Sequence, residues 1–183
     1  DAATRVGGRV VGGFGTADAD ADQAFAGQIF FGIGSSTKTF TGAVLATLVD
    51  SGHLGFDAPI RNYLPGFEMN HSVATQLLSV RDCLSHRSGL PRHDMVWYGS
   101  DGYLSREDVV AALKHLPPSK SFREMWQYHN LLYITPGYLA AVTTAGICEC
   151  AFSERFLVPL GRARTDCAVR AGPTARALAN PNR

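Results

Sequence analysis

Phe31-Gly32-Ile33-Gly34-Ser35-Ser36-Thr37-Lys38-Thr39-Phe40 is the stretch on which the fold turns. A glycine-punctuated run gives way to hydroxyl residues and then to Phe40, Val44, Leu45, Leu48 and Val49, apolar positions at steps of four and one. That spacing predicts a helix from Thr37, with Gly52 placed to stop it. A serine three places before a lysine at a helix mouth sets a hydroxyl and an amine on one face, a turn apart. A serine hydroxyl is a weak nucleophile at neutral pH, so it needs a base within reach and donors for the oxyanion that forms. An amine is such a base only in its neutral form, which burial or a neighbouring cation favours. The backbone N–H of Ser35, at the helix N-terminus, is a candidate oxyanion donor. Alone, the pattern equally describes a capped surface helix with an exposed lysine.

The same residues allow a reading from another class. Gly32 to Thr39 match G-x-x-x-x-G-K-[ST] except that Thr37 replaces the second glycine. Without that glycine the backbone N–H groups wrap phosphates poorly. The nearest Asp for magnesium, Asp50, lies on the same predicted helix. A P-loop-like nucleotide binder is therefore the third choice.

Trp126-Gln127-Tyr128-His129-Asn130 shifts the balance. A tyrosine and an asparagine two apart on a short loop can aim both tips into one cleft. The phenol would carry a proton, and the amide would hydrogen-bond substrate or lysine. Between the two motifs lies Leu84-Ser85-His86-Arg87-Ser88-Gly89-Leu90-Pro91.

Taken together these segments resemble the penicillin-recognising serine hydrolases, in the branch holding class C β-lactamases, D-alanyl-D-alanine carboxypeptidases, D-aminopeptidases and related esterases. The resemblance also runs through Val10 to Asp18, Gly52-His53-Leu54-Gly55-Phe56-Asp57-Ala58-Pro59, Tyr63-Leu64-Pro65, Gly137-Tyr138, Pro159-Leu160-Gly161 and Thr165, in the family's order. It implies an α+β (α/β) fold of the serine β-lactamase/transpeptidase type: a helical region plus part of an antiparallel sheet, incomplete in this chain. It implies Ser35 as acylated nucleophile, Lys38 as its proton acceptor, Tyr128 as second general base and Asn130 as a substrate-positioning group. No metal or cofactor is expected, and the substrate is a small amide or ester. His86 and His129 are not expected to act as bases, and Ser85 to Pro91 is expected to be a structural turn. The family's third element, Lys, His or Trp before x-Gly, has no counterpart after Pro159-Leu160-Gly161, so residues 1–183 read as a single partial domain. Its open sheet face would be covered by a partner or by a C-terminal half. The alternative is a truncated, inactive relative that acts by binding.

Composition agrees with a folded domain: among 183 residues, 45% are hydrophobic and 18% charged. Seventeen basic against sixteen acidic side chains, with no basic stripe, argue against nucleic acid as partner. No apolar run approaches the roughly 20 residues of a membrane span. The chain opens at Asp1 without a methionine or leader, which reads as a processed or partial chain. Cys83, Cys148, Cys150 and Cys167 lack C-x-x-C spacing and are expected to be buried free thiols. A short strand ending in a glycine turn is expected over Arg9–Gly15 and a second strand over Gln28–Phe31, with a solvated loop over Ala17–Ala26. Helices are expected over Leu77–Leu84 (with Ser79 as cap), Ser105–Leu116, Leu131–Ala145 and Ala151–Val158, a short turn over Ile60–Leu64, and a loose tail over 171–183. Pro136 should break or start a helix. His53, His71, His93 and His115 read as surface residues.

Overall fold

Helix α1 (Thr37–Asp50) forms where its apolar spacing predicts. It buries Val44, Leu45 and Leu48 and stops as expected: Gly52 takes φ +75°, its N–H reaches Val49 O at 2.9 Å, and the His53 N–H reaches Leu48 O at 2.9 Å. These two bonds satisfy carbonyls the helix end would otherwise orphan. The computed structural model describes residues 3–6, 9–12, 14–18, 23–24, 30–98, 104–144, 152–162 and 165. The chain divides into two compact units, Asp1–Ser36 with Arg164–Arg183, and Thr37–Ala163.

In the first unit, β1 (Ala3–Val6) pairs antiparallel with β2 (Arg9–Gly12), in the register Ala3 to Gly12 and Val6 to Arg9. The short strand expected to end in a glycine turn within Arg9–Gly15 is thus one arm of a hairpin and ends at Gly12. A second pair, β3 (Thr16–Asp18) and β4 (Gln23–Ala24), corrects the loop expected over Ala17–Ala26. Alternation of Asp with Ala is itself a period of two, the strand period. Among the described residues these two strand pairs and an isolated antiparallel bridge between Pro59 and Ser79 do not assemble a larger sheet. Of the run Gln28–Phe31, only Phe30 and Phe31 are described, and Phe30 makes a single bridge.

The second unit is helical. It is built around α6 (Asn130–Thr143), on which α1, α3 (Val80–Leu84) and α5 (Arg106–Ala112) all pack. α6 begins at Asn130, one residue earlier than expected, because His129 caps it: its Nδ1 accepts from Leu132 N at 2.9 Å. Pro136 lies inside α6 rather than at an end. A proline there deprives the carbonyl four residues back of a donor and costs about 3 kcal/mol. Burial of Leu131, Leu132, Leu139 and Ala140 on the same helix outweighs that, at about 1.5–3 kcal/mol per large apolar side chain.

The helix expected over Leu77–Leu84 is two helices, α2 (Ser72–Leu77) and α3, with Leu78 and Ser79 extended between them. Ile60 N donates to Leu78 O at 2.8 Å, and Ser79 caps α3 in a reciprocal capping box with Asp82. A tertiary hydrogen bond here overrides a helical pattern. After the short α4 (Met95–Tyr98), a reciprocal box of Ser105 with Asp108 opens α5 inside the helix expected over Ser105–Leu116, and α5 tightens into a 3-10 turn over Leu113–His115. The last expected helix is a wide π turn, Ser153–Leu157. Cys83 is a buried free thiol whose pKa burial pushes up; the other three cysteines and the tail 171–183 lie outside the described residues. No helix among the described residues is long and apolar enough to cross a membrane.

Candidate active site

Ser35 lies exposed in the one-turn 3-10 helix Gly34–Ser36, which Ser36 N closes on Ile33 O at 3.1 Å. Lys38 is the second residue of α1 and is half-buried. Its ammonium is not out in solvent: Nζ donates to Asn130 Oδ1 at 2.8 Å and lies 4.7 Å from the Tyr128 ring centroid and 5.4 Å from that of Tyr133. Ring faces attract a cation, so two aromatics and one amide hold the amine. The Tyr133 hydroxyl also donates to Lys38 O at 2.9 Å, pinning the start of α1 to α6. The structure therefore brings Lys38, Tyr128 and Asn130 together, while Ser35 belongs to the other compact unit.

Tyr133 escaped the sequence reading. Its signal is its place three residues after Asn130, on the same helical face once α6 starts at Asn130.

The loop bearing Tyr128 is held from behind by His86, which adopts the left-handed φ of +57°. His86 O accepts from Gln127 N at 2.9 Å, and His86 Nδ1 accepts from His129 N at 3.3 Å. Its ring lies 4.7 Å from that of Tyr128 and 5.4 Å from that of Tyr133. Burial, then the Lys38 charge, lowers the His86 pKa, which favours the neutral ring that an accepting Nδ1 requires. His129 is fully buried, and its pKa falls to about 4, chiefly through burial. His93 and His86 push it the same way, and Asp94 opposes them. Neither histidine is available as a proton acceptor without losing a structural hydrogen bond. His53, His71 and His115 are exposed as expected, but His93 is half-buried with its Nε2 sealed from solvent. It packs against His129, with ring centroids 6.0 Å apart.

Two further residues close the group. Asn130 Nδ2 donates to Asp94 Oδ1 at 3.0 Å, and Arg92 Nε pairs with Asp94 Oδ2. The Arg92 guanidinium carbon lies 5.5 Å from the Tyr128 ring centroid. Among the described residues no cluster of three His, Cys, Asp or Glu is arranged to hold a metal.

Within the helical unit, Lys38 is thus held by an asparagine and an aromatic pair. The beta-lactamase family model matches residues 2–183, and the chain belongs to that family, within the penicillin-recognising serine hydrolase superfamily. The unguisins hydrolase of Aspergillus campestris is 35% identical over 138 residues, 72% of this chain and 26% of that protein. Its counterpart in Aspergillus violaceofuscus is 31% identical over 163 residues, 84% of this chain and 28% of that protein. Among solved structures, the D-amino acid amidase of Ochrobactrum anthropi SV3 superposes with a TM-score of 0.77 at 27% identity, covering 90% of this chain and 46% of the amidase. The chain thus spans about a quarter of the length of those hydrolases and under half of the amidase.

Proposed function

We propose that this chain carries the acylating machinery of a serine hydrolase acting on a small amide or ester. Ser35 Oγ attacks the carbonyl carbon as its proton passes to the neutral amine of Lys38. The tetrahedral adduct collapses, its bond to nitrogen or oxygen breaks, and the leaving group takes that proton. Water then attacks the Ser35 ester. Tyr128 and Lys38 carry the water proton back to Oγ, releasing the acid and regenerating the serine. Asn130 holds Lys38 and offers its amide to the substrate. The likeness to an amidase favours an amide.

The observation that carries this reading is the 2.8 Å bond from Lys38 Nζ to Asn130 Oδ1 beneath the Tyr128 ring, a convergence across 92 residues of chain. Helix capping alone does not call for it. Incubation with a fluorophosphonate or a penicillin, followed by intact-mass spectrometry, is expected to give one adduct that is absent in Ser35→Ala. A folded wild-type chain that takes no adduct overturns the reading and leaves the inactive, binding relative.

A further inference from the structure

We infer that Arg92-His93-Asp94 is a positioning triplet for Tyr128-His129-Asn130, in which Asp94 locks the Asn130 amide in the orientation that holds Lys38. The inference rests on the acyl-transfer reading for its consequence in rate, and on geometry alone for the contact. The two triplets face each other in order: Arg92 over Tyr128 at 5.5 Å, His93 against His129 at 6.0 Å, and Asp94 to Asn130 at 3.0 Å. The Ser88 to Pro91 turn delivers the first triplet, which gives that turn a task beyond reversing the chain.

The lock follows from donor and acceptor counts. An asparagine amide has one accepting end and one donating end, and the two have nearly the same shape. A carboxylate only accepts, so Asp94 takes the Nδ2 end whatever the charge on Lys38. Oδ1 is then left for a Lys38 N–H, which the ammonium and the neutral amine both offer. The flipped amide would set Oδ1 against the Asp94 carboxylate, acceptor against acceptor. Asp94 is itself aimed by Arg92, whose side chain is 60% exposed while that of Asp94 is 23% exposed. An ion pair so open to water contributes little to stability. What it supplies is direction for a carboxylate that touches Asn130.

The test measures the rate of adduct formation together with thermal stability on the full chain. Asp94→Ala is expected to slow acylation about tenfold to a hundredfold, as a small misplacement of a catalytic group does, with little change in melting temperature. Asp94→Asn keeps an accepting oxygen and should recover most of the rate. Asn130→Asp sets two carboxylates against each other, and adding Asp94→Asn to it restores a donor facing an acceptor. The double variant should therefore acylate about tenfold faster than Asn130→Asp alone, as contacting residues couple. Acylation of Asp94→Ala at the wild-type rate, or a double variant no faster than Asn130→Asp, overturns the inference. Where Asp94→Ala fails to fold, the Asn130→Asp comparison decides. A wild-type chain that takes no adduct refutes the Ser35 reading instead, and the side-chain amide NMR signal of Asn130 then decides: protected from exchange and shifted by Asp94→Asn if the contact exists, insensitive to it if not.

Discussion

Replacing Arg123 by alanine removes the guanidinium that faces a buried carboxylate. Arg123 Nε meets Asp82 Oδ1 at 2.9 Å and Nη2 meets Oδ2 at 2.7 Å. The Asp82 side chain is 4% exposed, whereas that of Arg123 is 44% exposed. After the substitution Oδ2 keeps the Ser79 N–H at 3.0 Å and the Ser79 hydroxyl at 2.8 Å, while Oδ1 loses the Arg123 donor. Breaking a buried ion pair from one side costs about 3–5 kcal/mol. Because the vacated side opens to water, the cost falls below that scale, to about 2–3 kcal/mol at pH 7. For a chain of this size that corresponds to a fall of about 5–10 °C in melting temperature.

The pH dependence supplies a second check. Burial pushes the Asp82 pKa up, but Arg123 and then the Ser79 N–H and hydroxyl outweigh it and hold it below 3.8. The contribution of the pair is complete above pH 3.8 and disappears as pH falls through the lower folded-state value. The cost of Arg123→Ala should therefore shrink in strong acid. Arg123 also sits at φ +64°, so Arg123→Gly, which relieves that strain, should be about 1 kcal/mol less damaging than Arg123→Ala. Urea unfolding followed by circular dichroism at pH 7 and in acid reads all three effects. An alanine variant within about 0.5 kcal/mol of wild type, the range of an ordinary surface change, would refute the assignment.

Gly89 holds φ +85°, and a Cβ there would collide with the Lys120 carbonyl oxygen and lie 3.0 Å from that of Ser121. Gly89→Ala should therefore cost about 2–4 kcal/mol in chemical denaturation, and a variant as stable as wild type would show that the loop gives way. His129, at about 4 when folded against 6.5 ordinarily, stays neutral in the fold while the unfolded chain is protonated. The unfolded state binds more protons in that window, so stability should fall as pH drops from 6.5 to about 4 and level off below. His129→Asn keeps a capping acceptor without a titrating ring, and it should flatten that slope in urea titrations at a series of pH values. His86, lowered in the same direction, leaves a remainder. An unchanged slope would acquit His129.

Much of the helical unit was legible because its signals are local. The apolar steps from Phe40 to Val49, the Gly52 stop and the Ser105 to Asp108 box all act between residues within four or five places of one another. The extended pair Leu78-Ser79 was not legible, since the bond that straightens it comes from Ile60. Nor was the burial of His93, or the part taken by Tyr133, whose bond to Lys38 O spans 95 residues. Arg92 and Asp94 carry no local mark either; they matter through Tyr128 and Asn130, the latter 36 residues from Asp94.

By itself the sequence determined where α1 and α5 begin, which hydroxyl, amine, phenol and amide deserve attention, and the family to which they belong. Periodicity and capping are relations between near neighbours, and so they survive in a linear reading. Only the tertiary structure decided that Pro136 rides inside a helix, that His86 and His129 brace the loop through ring nitrogens that accept backbone N–H groups, and that the Asn130 amide presents its oxygen to Lys38 and its nitrogen to Asp94. Those outcomes depend on burial and on matching donors to acceptors, and both are set by segments that meet only when the chain is packed.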